Sequence, residues 1–268
     1  MKPLYIVTVV KSLCARIAGN LIYGAMDAVM QIPRHSALHA VTISTLIHGV
    51  ELGMSLKVNE IFYSIQGESS YAGWPCIFVR LSGCNLRCSY CDTQYAYEEG
   101  DEMGITDILK KISGYNCRLV EITGGEPLLQ KETPDLILHL LNKGYKVLLE
   151  TNGSMDISII DKRCVRIVDI KCPSSGEKDS NDLKNLDRLG DKDELKFVIA
   201  DRADYEYAKE IMDLVNNICP RSVVVHFSPC FEKMDLKGLS HWILEDFLDV
   251  RLHPQLHKFI WGPRKKGV

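Results

Sequence analysis

The sequence predicts an α/β fold, a partial (open) β/α barrel of about six parallel strands, on three observations. Short apolar runs end in polar or glycine-rich turns, amphipathic helical patterns lie between several of them, and the chain after Met54 is short for a closed barrel. Alternating buried strands and one-sided helices make a parallel sheet with right-handed crossovers. Residues 54–268 number about 215, against roughly 250 for a complete eight-unit barrel. The working face of such a sheet lies at the C-terminal ends of its strands.

The strand candidates follow in order. Cys76–Leu81 runs into Ser82-Gly83, Leu119–Ile122 into Thr123-Gly124-Gly125, and Lys146–Leu149 into Glu150-Thr151-Asn152-Gly153. Ile167–Ile170 runs into Lys171-Cys172-Pro173, Leu195–Ile199 into Ala200-Asp201, and Val223–His226 into Phe227-Ser228-Pro229. A helix is predicted over Pro134–Asn142, with Leu136, Ile137, Leu140 and Leu141 at helical spacing, Thr133 as N-cap and Gly144 as the stop. A second is predicted over Ala203–Asn216, with Tyr207, Ile211, Leu214 and Val215 on one face. Ser174–Asp193 is polar with mixed charge and reads as a surface excursion or flexible helix.

Composition bounds the function. Hydrophobic residues at 46% and charged residues at 25% describe a soluble globular chain. A net charge of −3 supplies no basic face, so no nucleic-acid partner is expected. No apolar stretch reaches the roughly 18 residues of a membrane span, so no membrane partner is expected either. Residues 1–53 differ in texture, with few acids, and are read as an extension: upstream sequence ahead of a start at Met54, or a leader. Residues 54–268 then form the single catalytic domain.

Ten cysteines are many, and their distribution matters more than their number. Cys14, Cys76, Cys117, Cys164, Cys172, Cys219 and Cys230 are scattered and read as small buried hydrophobes. Cys84, Cys88 and Cys91 are clustered in C-x3-C-x2-C spacing just after a strand. One loop can wrap three such thiolates around a single soft-metal centre. A structural zinc needs four ligands, and a distant Cys or His can supply the fourth, so a non-catalytic zinc or redox module stays open here. An iron–sulfur cubane on three cysteines keeps one iron free for an outside ligand. Thiol ligation implies a reducing compartment, hence a cytoplasmic location.

The loop resembles the signature of radical S-adenosylmethionine (SAM) enzymes, with Tyr90 in the aromatic place before the last cysteine. Thr123-Gly124-Gly125-Glu126-Pro127 resembles the same superfamily's second signature. The wider ensemble comprises Glu60–Glu68, Arg80, Glu150–Gly153, Asp169–Gly176, His226–Pro229 and Gln255–Lys258. Over nearly all of residues 56–261 it resembles the 7-carboxy-7-deazaguanine synthase family. The resemblance implies a partial barrel of radical SAM type and a 4Fe-4S cluster on Cys84, Cys88 and Cys91, whose open iron chelates SAM. It implies a carbon-nitrogen lyase acting on 6-carboxy-5,6,7,8-tetrahydropterin: hydrogen is abstracted from C6, the ring contracts, ammonia leaves, and 7-carboxy-7-deazaguanine results, on the route to queuosine. No catalytic side chain is implied beyond the cluster and SAM.

By the same resemblance, magnesium (Mg2+) is held at Thr93. Tyr90, Cys91, Asp92, Gly125, Glu126, Thr151, Asn152, Lys171 and Ser174 contact SAM. Ile65, Gln66, Gly67, Glu68, Arg80, Thr123 and His257 contact the pterin, with Lys258 in the closing C-terminal segment. An amide and a carboxylate suit a pterin's amidine-like edge, and a guanidinium fork suits a planar anion. An electron donor such as flavodoxin or ferredoxin, and a homodimer, are implied as well. The same cysteine spacing occurs in glycyl-radical activating enzymes, which act on a protein backbone; the Gln66-Gly67-Glu68 loop and Arg80, suited to a small acid, argue against that alternative.

Overall fold

The computed structural model describes residues 54–218, 223–263 and 265–268. Strands β1 (Ser55–Ile65), β2 (Pro75–Leu81), β3 (Asp101–Gly104), β4 (Leu119–Gly124), β5 (Lys146–Thr151), β6 (Val165–Ile170), β7 (Glu194–Ile199), β8 (Val224–Pro229) and β9 (Arg251–Leu252) form one sheet. Its order is β3-β1-β2-β4-β5-β6-β7-β8-β9. From β2 to β9 every pairing is parallel, while β1 runs antiparallel to β2 and β3. The six expected strands are all present, and the sheet is open.

The β1–β2 hairpin is an addition to the expectation. Glu60–Ile65 belongs to a long strand next to the edge strand β3, bulged between Val58 and Glu60, and only residues beyond Ile65 make the loop. Its side chains alternate only weakly between buried and half-exposed, which hides the period-2 signal.

The parallel strands are buried on both faces and read as apolar runs for that reason. Ile77, Val79, Val120, Ile122, Val147, Leu149, Val168, Ile170, Leu195, Phe197, Val225 and Phe227 point to the outer core beneath the helices. Residues of the other parity face the lumen. At the strand starts these are Cys76, Phe78, Leu119, Leu148, Val165 and Ile167, a separate apolar cluster. One pleat repeat further along, the same face carries Arg80, Glu121, Glu150, Asp169 and Lys196, with His226 beside Lys196 in register. The lumen therefore has an apolar floor and a polar upper wall, set by strand parity.

The outer core is covered by α1 (Ile105–Ser113), α2 (Thr133–Asn142), α3 (Asn185–Arg188), α4 (Arg202–Ile218) and α5 (Leu236–Glu245); α6 (Leu256–Trp261) follows β9. Helix α2 appears where expected, but the Thr133 hydroxyl donates to the Pro127 carbonyl at 2.6 Å instead of capping the helix. In α4 the buried face is Tyr205, Ala208, Ile211 and Val215, whereas Leu214, expected on that face, is 43% exposed.

The reading of Ser174–Asp193 as a surface excursion is corrected. Ser175, Asn185, Leu186, Leu189 and Asp193 are buried. The Asn185 amide donates to the carbonyls of Gly153 (3.1 Å) and Met155 (2.8 Å), so a polar side chain there serves buried backbone. Cys76, Cys164, Cys172 and Cys230 are buried and Cys117 half-buried, as small hydrophobes would be; Cys14, Cys219 and the extension 1–53 lie outside the described residues.

Candidate active site

The cysteine loop leaves β2 through Gly83, whose φ of 97° favours glycine. Segment 174–177 holds the loop from outside. Ser89 donates its N–H to the Ser175 carbonyl (2.9 Å) and its hydroxyl to the Ser174 carbonyl (2.7 Å), and the Arg87 N–H donates to Glu177 Oε1 at 2.7 Å. All eight cysteines among the described residues are unpaired. The three loop thiols feel one another: burial raises the pKa of Cys84 and Cys88, and the neighbouring thiols raise it further while Lys171 opposes. Burial also raises the pKa of Tyr97, whose hydroxyl bonds to Cys91. Thr93 Oγ1 lies 3.7 Å from Cys91 Sγ.

The Gly-Gly-Glu turn after β4 sits flush against this loop. A Cβ on Gly125 would stand 2.3 Å from the Gly83 carbonyl oxygen and 2.6 Å from Cys84 Cβ. The Glu126 N–H donates to the Gly83 carbonyl at 2.8 Å. The Glu126 side chain is fully buried and accepts from the Leu128 N–H (2.9 Å), the Thr151 hydroxyl (2.9 Å) and the Asn152 N–H (2.7 Å). Burial nevertheless pushes its pKa up. Glu126 thus ties the end of β4 to the end of β5. Asn152 continues the tie, donating to Asn85 Oδ1 at 3.2 Å and lying 3.9 Å from Cys84 Sγ.

The SAM-assigned residues gather around the cysteine loop, several of them already partnered. Lys171 pairs with Asp169 at 2.9 Å; burial opposes its charge, but Asp169 and Cys88 raise its pKa. The Ser174 N–H and hydroxyl both go to Asp204. Asp92, itself exposed, pairs with the Lys258 ammonium at 2.7 Å, which lowers its pKa. The Tyr90 hydroxyl is buried without a partner.

The pterin-assigned residues converge on the polar wall. Gln66 donates its amide to Glu121 and accepts from the Glu68 N–H at 2.9 Å. Glu68 meets Lys196 on one oxygen and the Gln255 amide, at 2.7 Å, on the other. Gly67 is pressed against the C-terminal segment: its carbonyl accepts from the Leu256 N–H at 2.9 Å, and a Cβ there would stand 2.2 Å from His257 Nδ1. Arg80 donates Nε to Glu60 at 2.8 Å, and Tyr95 donates to the same oxygen at 3.1 Å. Ile65 ends β1 and Thr123 is buried near the end of β4.

The sequence reading gave no role to Glu121, Glu150, Asp169, Lys196, His226, Ser228 or His253. Each is a polar residue on the lumen wall or its rim, and the available signal was one polar residue inside an apolar run, as in Leu119-Val120-Glu121-Ile122. Burial, with Glu150 and Glu68 adding, pushes the pKa of Glu121 up. Asp169 Oδ1, His226 Nδ1, Ser228 Oγ and His253 Nε2 are buried without partners. Buried polar atoms are nearly always paired, so this wall is built to face a polar ligand.

Among the described residues no three His, Cys, Asp or Glu side chains close on a point that would hold a single ion. The three loop thiols are instead unpaired and carried on one short loop, the chemistry of an iron–sulfur cluster's ligands. The glycine cradle at Gly125, the orphaned Tyr90 hydroxyl and the unpaired lumen atoms fit a further bound molecule beside them.

Comparison with known proteins agrees with this geometry. The model of the radical SAM superfamily matches residues 78–236. A 7-carboxy-7-deazaguanine synthase of Koribacter versatilis is 47% identical over 230 residues, 80% of this chain and 100% of the relative. That of Chlorobaculum tepidum is 44% identical over 80% of this chain and 97% of the relative. The crystal structure of QueE from Escherichia coli superposes with a TM-score of 0.65 at 25% identity, covering 78% of this chain and 98% of that one. With its cysteine loop, its glycine turn and these relatives in agreement, the chain belongs to the radical SAM superfamily and, within it, to the 7-carboxy-7-deazaguanine synthase family.

Proposed function

We propose that this chain converts 6-carboxy-5,6,7,8-tetrahydropterin to 7-carboxy-7-deazaguanine with loss of ammonia, as a radical SAM lyase in 7-deazapurine and queuosine biosynthesis. One observation carries the reading: a three-thiol loop and a glycine turn stand at the rim of a lumen whose wall is lined with hydrogen-bonding groups and whose floor is apolar. A flat heterocycle with polar edges suits such a cavity. Curated relatives at up to 47% identity carry the name of this activity.

Cys84, Cys88 and Cys91 would hold the 4Fe-4S cluster. Bound there, the cluster and SAM supply the radical that removes hydrogen from the substrate. The protein's own residues bind and orient. Gly125 offers backbone without a side chain, Tyr90 an apolar ring with a spare hydroxyl, and Asn152 an amide beside Cys84. Glu126, Thr151 and Ser174 are engaged within the protein and hold those groups in place. Gln66 and Glu68 present an amide and a carboxylate to the pterin's N–H edge. Arg80, its Nε edge held by Glu60, turns the rest of its fork to the substrate carboxylate. His257, packed on Gly67, covers that loop.

Magnesium at Thr93 fits a cation that keeps most of its waters and takes one hydroxyl beside substrate oxygens. An external electron donor such as flavodoxin or ferredoxin, a homodimer and a cytoplasmic location complete the proposal. Among the described residues no helix is long and apolar enough to cross a membrane. The test is anaerobic turnover of the reconstituted enzyme with the pterin acid, SAM, reductant and magnesium. Formation of 7-carboxy-7-deazaguanine by mass spectrometry is expected; its absence, with intact cluster and 5′-deoxyadenosine still released, overturns the reading.

A further inference from the structure

Lys196 lies on β7, far in sequence from every motif of the site. Its ammonium pairs with Glu68 on the β1–β2 loop and with Glu150 on β5 at 2.7 Å, and its side chain is 7% exposed. Among the described residues it is the basic side chain ion-paired to these two carboxylates, which come from two separate elements, the β1–β2 loop and β5. Glu121 stands close to both acids. Glu68 Oε1 is held separately by the Gln255 amide, so both its oxygens are fixed.

We propose that Lys196 is the positioning residue of the substrate pocket: it holds Glu68 and Glu150 at a fixed separation so that their remaining lone pairs accept N–H groups from one edge of a reduced pterin. The proposal rests on the reading of Glu68 as a pterin-contacting carboxylate. The physical reason is crowding. Without a cation between them, Glu68, Glu150 and Glu121 cannot all keep their places as acceptors in a buried lumen, because like charges there repel strongly and one must take a proton. A protonated carboxylic acid presents a donor where the pterin also presents donors, and the match is lost. Burial alone would raise the pKa of Glu68; Lys196 and His257 instead bring it down, which keeps it an acceptor.

The experiment is equilibrium binding of 6-carboxy-5,6,7,8-tetrahydropterin, measured anaerobically on cluster-loaded enzyme between pH 6 and pH 8.5. Wild type should bind with nearly constant affinity across that range. Lys196→Met should bind roughly 100-fold more weakly near neutral pH, the order expected when one partner of a buried charge pair is removed. Its affinity should fall further as pH drops, because Glu68, facing Glu150, Glu121, Asp92, His253 and His257 without its cation, titrates within the window. A merely structural loss would leave the pH profile parallel to wild type, and that result overturns the proposal.

Glu68→Gln leaves Lys196 its pair with Glu150, so it serves as the second variant. It should weaken binding comparably with a flat profile, and adding Lys196→Met to it should cost no more than about threefold beyond the single variants, as expected for residues acting as one unit. Normal pterin affinity in Glu68→Gln overturns the proposal even if Lys196→Met does not fold, and fully additive losses in the double variant overturn it where Lys196→Met folds. If wild type itself does not bind the pterin acid, the proposed function fails. Wild-type binding with unaffected variants removes only the role of Lys196.

Discussion

At the scale of single residues, the thiols and one histidine give the sharpest expectations. Cys88→Ala should lose iron and the brown absorbance together with turnover, because two remaining thiols cannot hold a cubane; full iron content by metal analysis would contradict the ligand assignment. His253 is buried at the rim, 4.9 Å between ring centroids from His226, and burial lowers its pKa to about 4. Its folded pKa lies below its unfolded value near 6.5, so the unfolded chain takes up a proton first as pH falls. Stability should be constant above pH 6.5 and drop by up to roughly 3 kcal/mol between 6.5 and 4 from this group. Urea unfolding of cluster-free protein at pH 7 and pH 4.5, with His253→Gln as the control, checks this: the variant should show a smaller drop. An equal drop would place the acid sensitivity elsewhere.

At the scale of elements, close packing of glycine turns decides the geometry. Gly125→Ala would drive a methyl into the Gly83 carbonyl and Cys84 Cβ, so the cysteine loop must move. A stability loss of about 2 kcal/mol is expected, with reduced iron incorporation measured after reconstitution. The cysteine loop and this turn were legible in the sequence because each is a run of consecutive residues with fixed chemistry. The polar wall was not, because Glu121, Glu150, Asp169, Lys196 and His226 come one apiece from five strands and meet only when the sheet forms. Ser174–Asp193 misled for a related reason. Its polar side chains look solvent-facing, yet Asn185 and Asp193 are buried partners, Asp193 pairing with Arg166, and its carbonyls hold Ser89. Composition reports how polar a side chain is and says nothing of whether buried backbone is waiting for it.

At the scale of the whole molecule, the described residues after Met54 carry a nine-stranded sheet. The Koribacter versatilis and Chlorobaculum tepidum relatives align over 80% of this chain. We propose that residues 54–268 suffice: a chain starting at Met54 should fold and turn over pterin within about twofold of the full chain. A tenfold loss would give residues 1–53 a part in the enzyme. The open sheet also leaves a seam between its last strand and the β1–β2 loop. Across that seam run the Arg251–Ser70 contact at 2.7 Å, the Gln255–Glu68 pair and, among the described residues, one backbone hydrogen bond from Leu256 to Gly67, while Glu194 and Lys196 of β7 reach Ser70 and Glu68 behind it. Side chains, unlike a ladder, can let go one at a time. The molecule can therefore gape along this line while its interior strands stay paired, and deuterium should enter the amides of residues 66–74 and 251–258 well before those of β4 to β7. A purse with a clasp needs no hinge through its middle, and saturating pterin should slow exchange at the clasp alone.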